Sequence, residues 1–168
     1  MMNEELTVSI LSMEATLNEC VFIVVDKSDH RVYTREPLIQ SVLITAFLSD
    51  AQIKLEITPS REIHRVMAFE PQGQYSHSPS SFQYTLTRIA TQYSPEDGHR
   101  LEAFISGPDG IERQYNLSNI FLQNVIHAAF SIHTITLPET ENKIDVSFEN
   151  GEITKIHIGD ELTEFKSR

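Results

Sequence analysis

Residues 38–47 read LIQSVLITAF, and residues 121–130 read FLQNVIHAAF. Laid over one another at a spacing of 83 positions, Gln40 meets Gln123, Val42 meets Val125, Ala46 meets Ala129 and Phe47 meets Phe130. Ile39/Leu122 and Leu43/Ile126 add apolar for apolar. Each segment is followed by a strand–turn–strand pattern, IKLEI…EIHRV over 53–66 and IDVSF…EITKI over 144–156. A period this long exceeds a solenoid unit and predicts two copies of a small domain.

Working outward, the first copy opens with Leu6, Val8 and Ile10 alternating as in a half-buried strand over 6–14. CVFIVV (20–25) is β-branched and aromatic, the composition of a strand covered on both faces. DKSDH (26–30) is turn-rich and RVYTR (31–35) completes a hairpin. Pro37 fits a first helical position, where its missing N–H would be an orphan anyway, and the helix is predicted over about 37–49. IKLEI (53–57) and EIHRVMAF (62–69) form a second hairpin turned by TPSR.

Residues 70–81, EPQGQYSHSPSS, read as a linker. The second copy runs through strands at 82–93, 100–106 and 111–115, a helix capped by Ser118 or Asn119 and ending near 131, and strands at 144–148 and 152–158. Asn150-Gly151 signals a type I′ turn between the last two. The helices align at 83 and the following strands at 91 (144 minus 53), so eight residues are inserted around TLPETEN. Glu62/Glu152 and Ile63/Ile153 align at 90, one residue fewer. Indels confined to loops are what diverged copies of one fold carry. The predicted organisation is therefore residues 1–69 as repeat 1, 70–81 as linker, 82–159 as repeat 2 and 160–168 as a polar tail.

Each copy reads strand, strand, strand, helix, strand, strand, the order of an OB-fold, a five-stranded Greek-key barrel. The segments RVYTREPLIQSVLITAFLSDAQIKLEITPSREIHRVMAF, IERQYNLSNIFLQNVIHAAF and KIDVSFENGEITKIHI resemble the B-subunits of bacterial enterotoxins, in which an apolar helix ending in Ala precedes a hairpin. The resemblance covers about half of each repeat. It implies an OB-like fold and oligomerisation, and it places no sugar-binding residue on a position of this chain. The fold expectation is thus β-rich α+β, two tandem βββαββ repeats forming OB-like barrels. The same elements also fit one continuous antiparallel sheet with both helices packed on one face.

The helices differ. Gln123, Asn124, His127 and Ser131 make a polar stripe, whereas the matching positions of the first helix are Gln40, Ser41, Ile44 and Leu48. A helix apolar nearly all round needs burial on more than one side, so Ile44 and Leu48 are the candidate interface.

Composition narrows the chemistry. With 24 Asp+Glu against 13 Lys+Arg the formal charge is -11, a field that repels phosphate backbones and anionic lipid. Cys20 is the only cysteine, which rules out an intrachain disulfide, and its apolar run reads as packing. The start lacks a signal-peptide pattern and no apolar stretch spans a bilayer, so a cytoplasmic location is expected.

No HExxH, CxxC pair, calcium loop, G-x-S-x-G or glycine-rich phosphate loop occurs. His127 and His133 would need a broken helix to converge with Asp145 or Glu149 on a metal. His64 and His157 read as solvent-facing strand residues. Asp26 and Asp29 read as turn carboxylates. Neither catalysis nor a cofactor is expected. Arg31, Tyr33 and Arg35 alternate on one strand face and, with Arg61 and Arg65, form a candidate ligand-binding face. The leading expectation is a non-enzymatic binding or assembly module that oligomerises with itself or another protein through helix and sheet-edge surfaces. The alternative is single-stranded nucleic-acid or glycan binding through that face. The net charge argues against nucleic acid, and no membrane partner is expected.

Overall fold

In a computed structural model of the chain, residues 3–69, 82–96, 98–136 and 143–159 are described. The expected linker, most of the TLPETEN insertion and the polar tail lie outside these residues. The elements in order are β1 (Glu4–Thr16), β2 (Cys20–Val25), β3 (Asp29–Thr34), α1 (Pro37–Leu48), β4 (Ile53–Ile57) and β5 (Ile63–Ala68). They are followed by β6 (Tyr84–Ser94), β7 (Gly98–Ser106), β8 (Glu112–Leu117), α2 (Ile120–Thr136), β9 (Lys143–Glu149) and β10 (Glu152–Gly159). The fold is strand-rich α+β. Its strands join in one antiparallel sheet ordered β3-β2-β1-β10-β9-β6-β7-β8, with β4 and β5 branching from β1.

β1 organises everything else. One edge carries β2 along Ser9–Ala15. The other edge is divided between β4 at Glu4–Val8 and β10 at Ser12–Thr16. The division falls at a bulge, because Ile10 faces Val24 while Ser12 faces Ile23, leaving Leu11 extra. A bulge shifts the side-chain alternation by one residue. Leu6, Val8 and Ile10 are accordingly buried before it, and Met13 and Ala15 after it. That parity change is why a strictly alternating pattern ends the strand too early, at 14.

β5 pairs with β4 and touches β3 through a parallel bridge between Tyr33 and Glu62. His64 is the extra residue of a bulge in β5, since Ile57 faces Ile63 and Glu56 faces Arg65. In the second half β6 pairs with β7 along Thr85–Ser94 and with β9 at Tyr84 and Thr85. Thr87 bulges from β6 and Thr154 from β10. The turn at Asn150-Gly151 has φ of 53° and 79° at its two residues, as a type I′ turn requires.

The core is one continuous cluster running from Leu6 to Ile158. CVFIVV is buried over Cys20–Val24, as its composition implies. The helices pack on one another; α1 also meets β5 and β1, while α2 meets β10 and β1. Neither described helix is long and apolar enough to cross a membrane.

Three expectations need correction. β3 begins at Asp29, not Arg31, because the turn is only Asp26–Ser28: the Ser28 N–H donates to Asp26 Oδ1 at 3.0 Å and Val25 already faces Asp29. α2 continues past 131 to Thr136, since nothing breaks it before Pro138, which disfavours helix in the residue ahead of it. His157 is buried at 2% exposure, because β10 is flanked by β9 and β1 and the Phe82 ring packs edge-on against it at 5.5 Å. His64, by contrast, is exposed as expected.

Candidate functional site

The turn Thr58–Glu62 between β4 and β5 folds against the β2–β3 hairpin. Arg61 donates its N–H to the Thr58 carbonyl at 2.9 Å, and the Thr58 N–H donates to the Glu62 carbonyl at 2.9 Å. Closing so short a turn puts Arg61 at φ 75°, a left-handed conformation that costs a non-glycine residue about 1–3 kcal/mol. Its carbonyl then accepts from the Tyr33 N–H at 3.1 Å, tying the turn to β3.

The Arg61 guanidinium lies over the hairpin. Nη1 donates to Glu4 Oε1 at 3.3 Å, Nε to the Arg31 carbonyl at 3.4 Å and Nη2 to His30 Nδ1 at 3.4 Å. A guanidinium only donates, so His30 Nδ1 accepts and the ring proton sits on Nε2. That proton faces Asp26 Oδ1 at 3.1 Å. The backbone N–H of Ser28, then His30, holds the Asp26 carboxyl below the ordinary carboxylate range.

Between these groups lies a cleft of about 400 Å³, lined by Glu19, Val21, Asp29, His30, Arg31, Val32, Tyr33 and Arg61. Its charges nearly balance, with two guanidiniums against two carboxylates. Of the expected face, Arg31, Tyr33 and Arg61 meet here. Arg35 adjoins it, donating to the Tyr33 hydroxyl at 3.3 Å and to Glu62 at 3.2 Å, with its guanidinium 5.5 Å from the Tyr33 ring centroid. Arg65 does not line it, because β5 carries Arg65 opposite Glu56. Glu19 and His30 carry no expected role, and Asp29, expected as a turn carboxylate, instead opens β3 and lines the cleft. Strand alternation assigns Asp29 and Arg31 to one face, but nothing in it brings the Thr58–Glu62 turn over the hairpin.

Ile44 and Leu48 are both half-buried, and Ile44 packs against the core. The polar contacts that α1 and the start of α2 make between the halves run through other residues. Asn124 Nδ2 donates to Gln40 Oε1 at 2.8 Å, and Gln40 Nε2 donates to the Phe121 carbonyl at 3.1 Å. Asn119 Nδ2 donates to the Leu17 carbonyl at 2.7 Å, while its Oδ1 caps α2 by accepting from the N–H groups of Phe121 and Leu122.

Among the described residues no group of three His, Cys, Asp or Glu gathers as metal ligands would. His127, Asp145 and Glu149 are exposed, and the side chain of His133 lies outside the described residues. Burial pushes the Cys20 thiol far up, against a smaller opposing effect of a hydrogen bond from Gln40, the reverse of what a nucleophile needs. No family model matches the chain, and no curated protein or solved structure matches it.

Proposed function

We propose that the chain is a non-enzymatic binding and assembly module made of two tandem OB-like barrels, residues 1–69 and 82–159, that oligomerises through helix and sheet-edge surfaces. The barrel reading is supported by the strand contacts of each half. In the first, β1 meets β2 and β4, β2 meets β3, β4 meets β5 and β3 touches β5 through one bridge, the contact order 1-2-3-5-4-1 that a Greek-key barrel would have. In the second, β6, β7, β8, β9 and β10 make the corresponding contacts.

The duplication reading is supported by the irregularities. Val8 faces Ile53 and Tyr84 faces Ile144, so β1 corresponds to β6 at a spacing of 76 (84 minus 8). The bulged Leu11 and Thr87 are 76 apart as well (87 minus 11). The bulged His64 and Thr154 stand 90 apart, the spacing already read between Glu62 and Glu152. A bulge is a local feature that unrelated strands have no reason to share at matching registers.

The assembly reading rests on one observation: the last strand of the second half extends the first half's sheet, pairing Lys155–Gly159 with Thr16–Ser12 on β1. One half thus already recruits another through a sheet edge and a helix. Light scattering on the eluting chain should give a mass that is a multiple of 19.2 kDa, and a monomer at every concentration overturns the reading.

A second reading concerns the cleft at Arg31, Tyr33 and Arg61. Its nearly balanced charge and aromatic wall suit a neutral polar ligand such as a glycan better than a phosphate backbone. Glycan-array binding that disappears in Tyr33→Ala supports it. Salt-sensitive oligonucleotide binding would favour nucleic acid instead.

A further inference from the structure

We infer that the chain docks a second copy of itself head-to-tail, the outer edge of β5 adding to β6 of the next molecule as β10 adds to β1 within one chain. The inference rests on the duplication proposed above and names the surfaces of that assembly.

The internal contact has a donor side and an acceptor side. The donor side is β10 with the start of α2; the acceptor side is the second half of β1 with Leu17 and Gln40. Applying the spacings of 90, 83 and 76 locates the unused counterparts. Lys155–Gly159 correspond to Arg65–Phe69, Phe121 to Leu38, Ser12–Thr16 to Arg88–Gln92 and Leu17 to Tyr93. Among the described residues β5 has no strand on its outer edge beyond the bridge at its start, and β6 is paired on the side away from β7 only at Tyr84 and Thr85.

Exposure follows the same division. Phe121 is 8% exposed but its counterpart Leu38 is 77% exposed. Ile156, His157 and Ile158 are at most 2% exposed, whereas Met67 is 39% exposed, Ala68 is exposed and Val66 is half-buried. Leu38 and Met67, large apolar side chains left open where the internal interface buries Phe121 and His157, mark an interface awaiting its partner.

The transferred register creates no clash of like charges. It sets Arg88 against Phe69, Ile89 against Ala68, Ala90 against Met67, Thr91 against Val66 and Gln92 against Arg65. Within the chain β10 reaches β1 but β5 does not reach β6, so the contact is heterologous. Repeated between molecules, it closes a ring or grows a filament.

Phe69 donates its N–H to the Gln52 carbonyl at 2.9 Å, so the amide of the preceding Ala68 faces away from β4. Ala68→Pro therefore blocks the donor edge while sparing the β4–β5 ladder. Leu38→Lys blocks the same side from an exposed helix position, should the proline disturb folding. Thr91→Lys/Tyr93→Lys charges the acceptor edge. Light scattering should show each variant monomeric where wild type is assembled, a loss of association of at least about tenfold. Mixing Ala68→Pro with Thr91→Lys/Tyr93→Lys should restore one interface, giving a dimer and nothing larger. A wild-type oligomer indifferent to both Ala68→Pro and Leu38→Lys overturns the edge assignment and leaves the assembly proposal standing. A monomeric wild type overturns both, and a mixture that grows beyond the dimer overturns the head-to-tail arrangement.

Discussion

Asn124 on α2 donates its side-chain amide to Gln40 on α1 at 2.8 Å, and Gln40 is fully buried. Gln40 also donates to the Phe121 carbonyl, so one side chain serves two groups of the opposite helix. Gln40→Leu keeps the volume but strips both partners of their bonds. Leaving a buried polar group unmade costs about 1–3 kcal/mol. Urea unfolding should show Gln40→Leu destabilised by that amount. Adding Asn124→Leu should recover part of the loss, because the pair is then removed together.

Cys20 lies beneath the same helix, fully buried. Desolvation disfavours its thiolate, which is the reactive form. Iodoacetamide should leave the native chain unmodified and label it only at the rate of unfolding. Mass spectrometry after a timed pulse checks this; rapid native labelling would contradict the packing around β2.

These two residues illustrate what the sequence made legible. The echo around Gln40 and Gln123 located both helices, and CVFIVV announced a strand buried on both faces, because local periodicity and composition carry such information. Gln40 itself looked like part of a partly lost polar stripe; only packing of α1 on α2 makes it a buried link. His157 was misread for a similar reason, since alternation on β10 cannot reveal that β1 will lie along its edge. The cleft was half legible. Arg31, Tyr33 and Arg61 are all expected on one face, but the left-handed turn that carries Arg61 there has no glycine to announce it, and Glu19 and His30 beside it have no local signal.

Glu14 faces His157 across the β1–β10 ladder, with its Oε2 3.6 Å from His157 Nδ1 and 3.9 Å from Lys155 Nζ. Burial opposes ionisation, but His157 and the Lys155 ammonium outweigh it and hold the carboxyl below its ordinary value. A depressed folded-state pKa contributes stability above the unfolded value and loses it as pH falls through the folded one. Glu14→Gln should therefore be less stable than wild type near neutrality. Their difference should shrink as pH falls below the ordinary carboxylate range, about 4. Parallel denaturation curves across pH would read this out, and a constant gap would refute it.

Gly159 ends β10 at φ 92°, directly against the bulge of β1. A Cβ there would stand 2.7 Å from the Leu11 carbonyl oxygen and 2.8 Å from Ser12 Cα, both backbone atoms that cannot step aside. The left-handed backbone alone costs alanine about 1–2 kcal/mol. Gly159→Ala should exceed that loss, whereas Gly110→Ala, at φ 77° with nothing within 4 Å, should show only the backbone cost. Thermal melts of the two variants would rank them.

Arg61 combines a strained backbone with a place on the cleft proposed to bind a ligand, and substitution separates the two. Its ion pair with Glu4 is formed by side chains 38% and 57% exposed, so it contributes at most about 1 kcal/mol. Arg61→Gly loses that pair but relieves the φ of 75°, and should match or exceed wild type in stability. Arg61→Ala loses the pair and keeps the strain, and should fall about 1 kcal/mol or more below the glycine variant. Both remove the guanidinium from the cleft, so ligand capture should fail in both alike. Melting temperatures that order with stability and binding that does not would separate the turn's strain from the cleft's recognition; equal stability of the two variants would show that the left-handed turn carries no strain.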